Sequence, residues 1–415
     1  MNFGSLTSYS TGPIEIFLAL VFGFIGLLTM LYSFARIRGS KGQLAEYYIF
    51  FLVLLGAALG VVFAKNLLLL YVFWELATIA LWRLVTYFRK EESVLAGAWA
   101  LYLNFVAAAV MLVGLVLIQL EQGTLDLAVL AGKPLPVLPA ILILVGIVAK
   151  SATLPLYIWL PRAYRQAPAA VCALLSGVAE NLGLVLFLKL YVLTMQVPKP
   201  IFLAVAIVAV ASSLIAGGVA LGTNTIRETL AYSTVGQMGF ILLGFAGVGY
   251  YGLMGAMLYI MAHAIAKSGI FFAAGIVEDA SGSGDLSRLG GFAHHSPVLA
   301  GATAVLMLSV MGLPPTLGFF AKLGVVLGAV RSSILLGIGA LVAALFTILY
   351  LSRLYSRIFL GTGTDSYGRV PGFVIFLVVV MAIGTVLAGV LWFIPVRFLE
   401  AGFSGLGMTL LGGGW

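Results

Sequence analysis

Twelve stretches of this chain are apolar for long enough to cross a bilayer. They lie near residues 14–34, 46–64, 66–88, 94–120, 137–160, 167–191, 201–222, 229–248, 250–277, 297–325, 332–356 and 372–395. A hydrocarbon core about 30 Å thick needs roughly twenty such residues as a helix, and unpaired backbone groups are too costly there for any open structure. The spacing therefore predicts an all-α polytopic membrane protein of about 12 transmembrane helices. Composition agrees, because 62% hydrophobic and 9% charged residues cannot coat a soluble globule. The opening segment "MNFGSLTSYSTGPIEIFLAL" has no basic stretch ahead of its apolar run, so the run reads as a retained span, not a cleaved signal.

The net charge of +8 need not imply nucleic acid, since topology can produce it. With the N-terminus outside, the inner loops collect Arg36, Arg38, Lys41, Arg83, Arg89, Lys90, Arg162, Arg165, Arg227, Arg288, Arg353, Arg357 and Arg369. The outer side has only Lys65, Lys133, Lys189, Lys199, Arg331 and Arg397. That bias places both termini on the outer side of the cell membrane. Three cations remain, all within spans: Lys150, Lys267 and Lys322. The single cysteine, Cys172, leaves no internal disulfide and no cluster held by this chain's thiolates alone, and three histidines leave little for haem. No cofactor, metal site or redox centre is expected in the chain itself.

The spans also carry a weak internal symmetry. Residues 46–196 and 197–360 each hold five, and an odd number of crossings inverts the second group relative to the first. A terminal helix with a basic inner loop (1–45) precedes them, and a helix with a tail (361–415) follows. The fourth member of each group contains a proline break: Lys150 with Pro155 in one, and "MGLPPTLGFFAK", with Pro314, Pro315 and Lys322, in the other. Interrupted helices at corresponding positions of two inverted halves point to an ion or substrate path.

Charges inside the hydrocarbon sharpen that reading, since each costs roughly 2.5–3.5 kcal/mol on insertion scales. Glu75 stands ten residues into the third span, and Lys150 is about as deep in the fifth. His263 and Lys267 share one face of the ninth span, four residues apart. A lysine whose carboxylate partner moves by a few ångströms switches between loaded and empty, whereas a fixed Glu–Lys pair would only weld helices together. Three buried lysines exceed what welding requires. His294 and His295, in the inner loop, are assigned no role.

The motifs "FWELATIALW", "AKSATLPLYIWLPRAYRQAPAAVCALLSGV", "LAYSTVGQMGF", "HAIAKSGIFFAAG", "GDLSRLGGF" and "GLPPTLGFFAK" resemble, in order from about residue 46 to 325, the antiporter-like membrane subunits of respiratory complex I, Mrp sodium/proton antiporters and membrane-bound hydrogenases. The resemblance implies two inverted five-helix repeats, with Glu75 as partner carboxylate, Lys150 as the central lysine of the first half, His263 and Lys267 as a relay, and Lys322 as the terminal lysine near the exit. It implies proton or sodium translocation driven by redox chemistry in partner subunits.

Three departures stand out. Only one span precedes the first repeat, the chain ends at Trp415 without a long lateral helix, and Asn181 stands where such proteins commonly have a connecting lysine. Glu180 is next to it, so Glu180 or Asn181 is a possible relay. Expected partners are other membrane subunits, including further antiporter-like ones, peripheral iron–sulfur redox subunits and the lipid bilayer, with no nucleic acid. A redox-independent Mrp-type antiporter subunit and a non-conducting scaffold are the alternatives.

Overall fold

The computed structural model describes residues 10–247, 249–361 and 367–403. The expected position of both chain ends and the reading of the tail to Trp415 fall outside those residues. What is described is helical, and strand-like pairing is confined to isolated bridges.

The first helix, α1, runs Pro13–Arg36 and opens on a proline whose missing N–H costs nothing at a helix start. Then come α2 (Lys41–Phe63), α3 (Leu67–Val85) and α4 (Glu91–Gln122). Side-chain caps fix the starts: Ser40 and Gln43 form a capping box at α2, and the Asn66 side chain accepts from Leu68 N–H at α3. Gly123, with φ at +72°, closes α4 in a left-handed turn. The fifth apolar run is two helices, α5 (Val137–Lys150) and α6 (Trp159–Gln166). Helix α7 (Ala169–Val192) contains two π turns, Leu175–Ala179 and Leu188–Val192.

The second set begins with α8 (Lys199–Gly222), α9 (Ile226–Ala246) and α10 (Tyr250–Ser281). A second broken run follows as α11 (Pro297–Met311) and α12 (Leu317–Ser332), then α13 (Ile334–Phe359). Helix α14 (Gly372–Val390) and the shorter α15 (Phe393–Phe403) complete the described chain. Among the described residues ten helices are long and apolar enough to cross a membrane, and the two interrupted runs supply the shorter apolar pieces. Both breaks stand where the prolines predicted them.

Two local devices recur at a fixed offset. Asn66 pairs with Asp126, and Thr225 with Asp285, each partner 159 positions further on in the second instance. Leu67 and Leu127 N–H donate to Leu125 and Lys65 carbonyls at 2.9 and 2.8 Å, as Ile226 and Leu286 donate to Gly284 and Asn224, both at 2.9 Å. At the breaks, left-handed Ala152 (φ +49°) stands three residues before the cis proline Pro155, and left-handed Gly312 (φ +82°) three before the cis proline Pro315.

Helix α7 is wholly buried and α9 and α10 almost so, while α1–α4, α8, α13 and α14 keep about half or more of their residues outward. The buried helices carry the small and polar residues that let membrane helices approach closely and bond across interfaces. Ion pairs gather on the face that the charge count assigned to the inside: Arg36–Asp279, Glu46 between Arg83 and Arg89, Arg165–Glu228 and Arg227–Glu278.

Candidate ion pathway

Lys150 is the last residue of α5, where the helix gives way to the proline turn, and it is 1% exposed. Its ammonium donates to Thr78 Oγ1 at 2.5 Å and stands 5.0 Å from the centre of the Trp74 ring. Both partners lie on α3, Thr78 one turn beyond Glu75. Glu75 is half-buried, its Oε1 has no hydrogen-bond partner, and it stands within electrostatic reach of Lys150 without forming an ion pair. Among the described residues every ion pair is made by arginine, so the intramembrane lysines are not welded to carboxylates. The geometry is that of a lysine parked on a hydroxyl with its carboxylate one helical turn away.

Helix α7, the last of the first set, packs against both α5 and α10. The backbone N–H of Glu180 donates to Leu175 carbonyl at 3.0 Å, the long bond of a π turn, a feature that often marks functional positions. Glu180 and Asn181 are both fully buried, but they face different surroundings. Asn181 spends its amide N–H groups on its own helix, at Ser176 and Gly177 carbonyls 3.3 and 3.2 Å away. Glu180 accepts from the Tyr164 hydroxyl of α6 through Oε1, leaves Oε2 without a partner, and is within electrostatic reach of Lys267.

In the second half, Lys267 donates to the Leu230 carbonyl of α9 at 2.9 Å. His263, one turn away on α10, is buried with neither ring nitrogen bonded, and feels both Lys267 and Lys322. Lys322 is buried on α12, six residues past Thr316, without a hydrogen-bond partner; its ammonium lies over the Phe240 ring at 4.6 Å and the Tyr259 ring at 5.8 Å. Its stem crosses Gly312 so closely that a methyl there would meet Lys322 Cδ at 2.7 Å. A hydroxyl and amide network runs beside it: Tyr259 donates to Gln237 Oε1, Gln237 Nε2 to Tyr350 Oη at 2.8 Å, and Tyr350 to Ser233 Oγ at 3.0 Å. The structure thus brings His263 within electrostatic reach of Lys267 and Lys322, Glu75 within that of Lys150, and Glu180 within that of Lys267.

One expectation is corrected. The charge count puts Lys189 with the outer-side cations and leaves three cations within spans, but Lys189 is 5% exposed inside α7. Its ammonium donates to Val62 and Ala64 carbonyls, both at 2.6 Å, closing the C-terminal end of α2. Helix ends leave carbonyls without intrahelical partners, and a cation there is favoured by the helix dipole. Proximity to a chain turn made Lys189 look exposed in the sequence, whereas the need for a donor at a buried helix end holds it inside. Sequence reasoning also passed over Thr78, Tyr164, Gln237 and Tyr259. Single hydroxyls and amides in apolar runs were the available signal, but Lys150 lies 72 positions from Thr78 and Tyr350 lies 113 from Gln237.

Residues 64–347 match the family of NADH:quinone oxidoreductase/Mrp antiporter transmembrane proteins. That stretch contains both breaks and every lysine of the pathway. The chain belongs to this family. It is 30% identical over 360 residues to NADH-quinone oxidoreductase subunit N of Desulforudis audaxviator, spanning 84% of this chain and 72% of that protein. It is likewise 30% identical over 386 residues to Na(+)/H(+) antiporter subunit A1 of Staphylococcus haemolyticus, where 85% of the chain matches only 48% of the relative. Among solved structures, a chain of the membrane-bound sulfane sulfur reductase, an archaeal respiratory membrane complex, superposes with a TM-score of 0.87 at 24% identity, covering 96% of this chain and 83% of that one. The protein is therefore an antiporter-like membrane subunit by family and by fold.

Proposed function

We propose that this subunit translocates protons, with sodium as the alternative ion, in a multi-subunit membrane redox complex of the complex I, membrane-bound hydrogenase or sulfur-reducing kind. The observation that carries this reading is that Lys150, Lys267 and Lys322 are buried, form no carboxylate ion pair and have at most one hydrogen-bond partner each, two of them beside helix breaks. A buried ammonium held by one hydroxyl, one carbonyl or aromatic faces alone, unlike Lys189 with its two helix-end carbonyls, is poorly compensated for its desolvation, and it is free to load and unload. Glu75 and Lys150 serve the first half; His263, Lys267 and Lys322 serve the second. The recurring backbone clasp and the matching breaks support a division into two inverted five-helix repeats, residues 46–196 and 197–360.

The driving reaction belongs to partner subunits, among them peripheral iron–sulfur proteins and further antiporter-like chains. The fuller match to a quinone-reductase subunit favours this redox setting. The half-length match to antiporter A subunits favours the second reading, a redox-independent Mrp-type antiporter. The gathering of ion pairs on one face supports that face as the inner one in a cell membrane, with both termini outside. The test is purification of the native complex and its reconstitution in sealed vesicles. Co-purifying iron–sulfur subunits and loss of ion pumping in Lys150→Ala, with assembly intact, are expected. A stable complex that pumps normally with Lys150→Ala would refute the pathway.

A further inference from the structure

Helix α7 touches the helices of Lys150 and Lys267 through two glycines set symmetrically about Glu180. A methyl at Gly183 would lie 2.5 Å from Ile147 carbonyl oxygen and 3.0 Å from Ser151 N, so α7 there lies against the turn that bears Lys150. A methyl at Gly177 would lie 2.6 Å from Ser268 Oγ and 3.5 Å from Ala264 carbonyl oxygen, so six residues earlier α7 lies against the turn that bears Lys267. Glu180 stands midway between these contacts, and residues three apart share a helix face.

The surroundings of its carboxyl group are equally specific. Tyr164 is buried and gives its hydroxyl to Oε1, while its ring packs edge-on to Phe271 at 4.7 Å between centroids. Lys267 stands over the same Phe271 ring at 5.6 Å. Arg227, paired with Glu278, donates to the Tyr164 carbonyl at 3.3 Å and to Ala167 carbonyl at 3.1 Å, fixing the backbone that presents the tyrosine. Oε2 has no partner although it is buried, and a buried carboxyl oxygen without a donor is costly unless it holds a proton or transiently receives one. Asn181 cannot compete for this role, because its amide nitrogen is bound within its own helix.

We propose that Glu180 carries protons between Lys150 and Lys267, with Tyr164 anchoring Oε1 so that the moving proton rides on Oε2. This rests on the pathway reading above. The Lys150 ammonium gives a proton to the Glu180 carboxylate, leaving a neutral amine and a neutral acid. The acid then protonates the Lys267 amine and returns to carboxylate. One proton has moved between the halves and no other bond has changed. Tyr164 keeps its own proton and acts as a positioning residue.

The test compares ion-translocation rates of Lys150→Ala, Glu180→Gln and Tyr164→Phe in the reconstituted native complex, each normalised to assembled protein. Infrared difference spectra at the carboxylic-acid C=O band, identified by its shift in D2O, are recorded alongside. Glu180→Gln keeps shape and hydrogen bonding but cannot titrate, so at least a tenfold loss of rate and loss of one carboxylic-acid band are expected. Tyr164→Phe keeps the ring and frees Oε1, so the same band should move. Wild-type pumping in Glu180→Gln with pumping abolished in Lys150→Ala overturns the relay and leaves the pathway standing. Wild-type pumping in both overturns the pathway itself. If Glu180→Gln fails to assemble, the Tyr164→Phe spectrum decides, and a band at its wild-type position overturns the proposal.

Discussion

Lys189→Met should destabilise the subunit without blocking ion transfer. The ammonium makes two hydrogen bonds of 2.6 Å to carbonyls at the end of α2. Hydrogen bonds to a charged group contribute about 1.5–3 kcal/mol each, so the gross loss is roughly 3–6 kcal/mol. Methionine keeps the apolar stem and removes the ammonium's own burial cost, which offsets several kcal/mol. A net destabilisation of about 2 kcal/mol remains, since two carbonyls are left buried without donors. The assay is thermal unfolding of the purified complex in detergent, paired with ion translocation per assembled complex in vesicles. The melting transition should fall by a few degrees while pumping per complex stays near the wild-type value. Pumping lost at undiminished stability would show that Lys189 conducts, and would refute its assignment as a helix cap.

Two further substitutions probe the site directly. Thr78→Val removes the hydroxyl that holds Lys150 and should slow translocation by about tenfold, the equivalent of roughly 1.4 kcal/mol, whereas Thr78→Ser should stay near wild type; equal rates in both would deny Thr78 a positioning role. Gly183→Ala drives a methyl to 2.5 Å from a backbone oxygen that cannot swing aside, so it should cost about 1–3 kcal/mol of stability in thermal unfolding, and an unchanged transition would refute the close approach of α7 to α5.

The outer plan of the fold was legible because the bilayer permits few answers: long apolar runs become helices, and Pro155 and Pro315 stop them. Lys150, Lys267 and Lys322 were legible for the same reason, since a charge in such a run stands out. What each lysine touches was not. Thr78 resembles any threonine bonded to its own helix, and indeed it donates to Trp74 carbonyl at 3.0 Å while accepting from Lys150. Tyr164 sits in "WLPRAYRQ", which reads as an interfacial segment, yet α6 turns it inward. The π turn before Glu180 depends on a shift in backbone hydrogen bonding that packing selects and no residue type announces. Lys189 shows the converse: a charge near a turn was taken for a solvated one because the helix end it closes belongs to a segment more than a hundred residues earlier.

The two broken helices have a consequence for how transport answers to voltage. In the chain order α5 begins, and α12 ends, on the same side of the membrane, so Lys150 and Lys322 both belong to the pieces that emerge there, close to the breaks. Glu180 and Lys267 stand near the middles of α7 and α10. Counted along the helices from that side, Lys150, Glu180, Lys267 and Lys322 come 13, 12, 17 and 10 residues in, so on the proposed pathway a step between them is more lateral than transmembrane. A charge crossing the whole bilayer exchanges about 2.3 kcal/mol with a potential of 100 mV, but a charge moving sideways at constant depth exchanges almost none. On the proposed pathway the lateral leg therefore exchanges little with the membrane potential, and most of the work done against it falls on the climbs by which ions enter and leave.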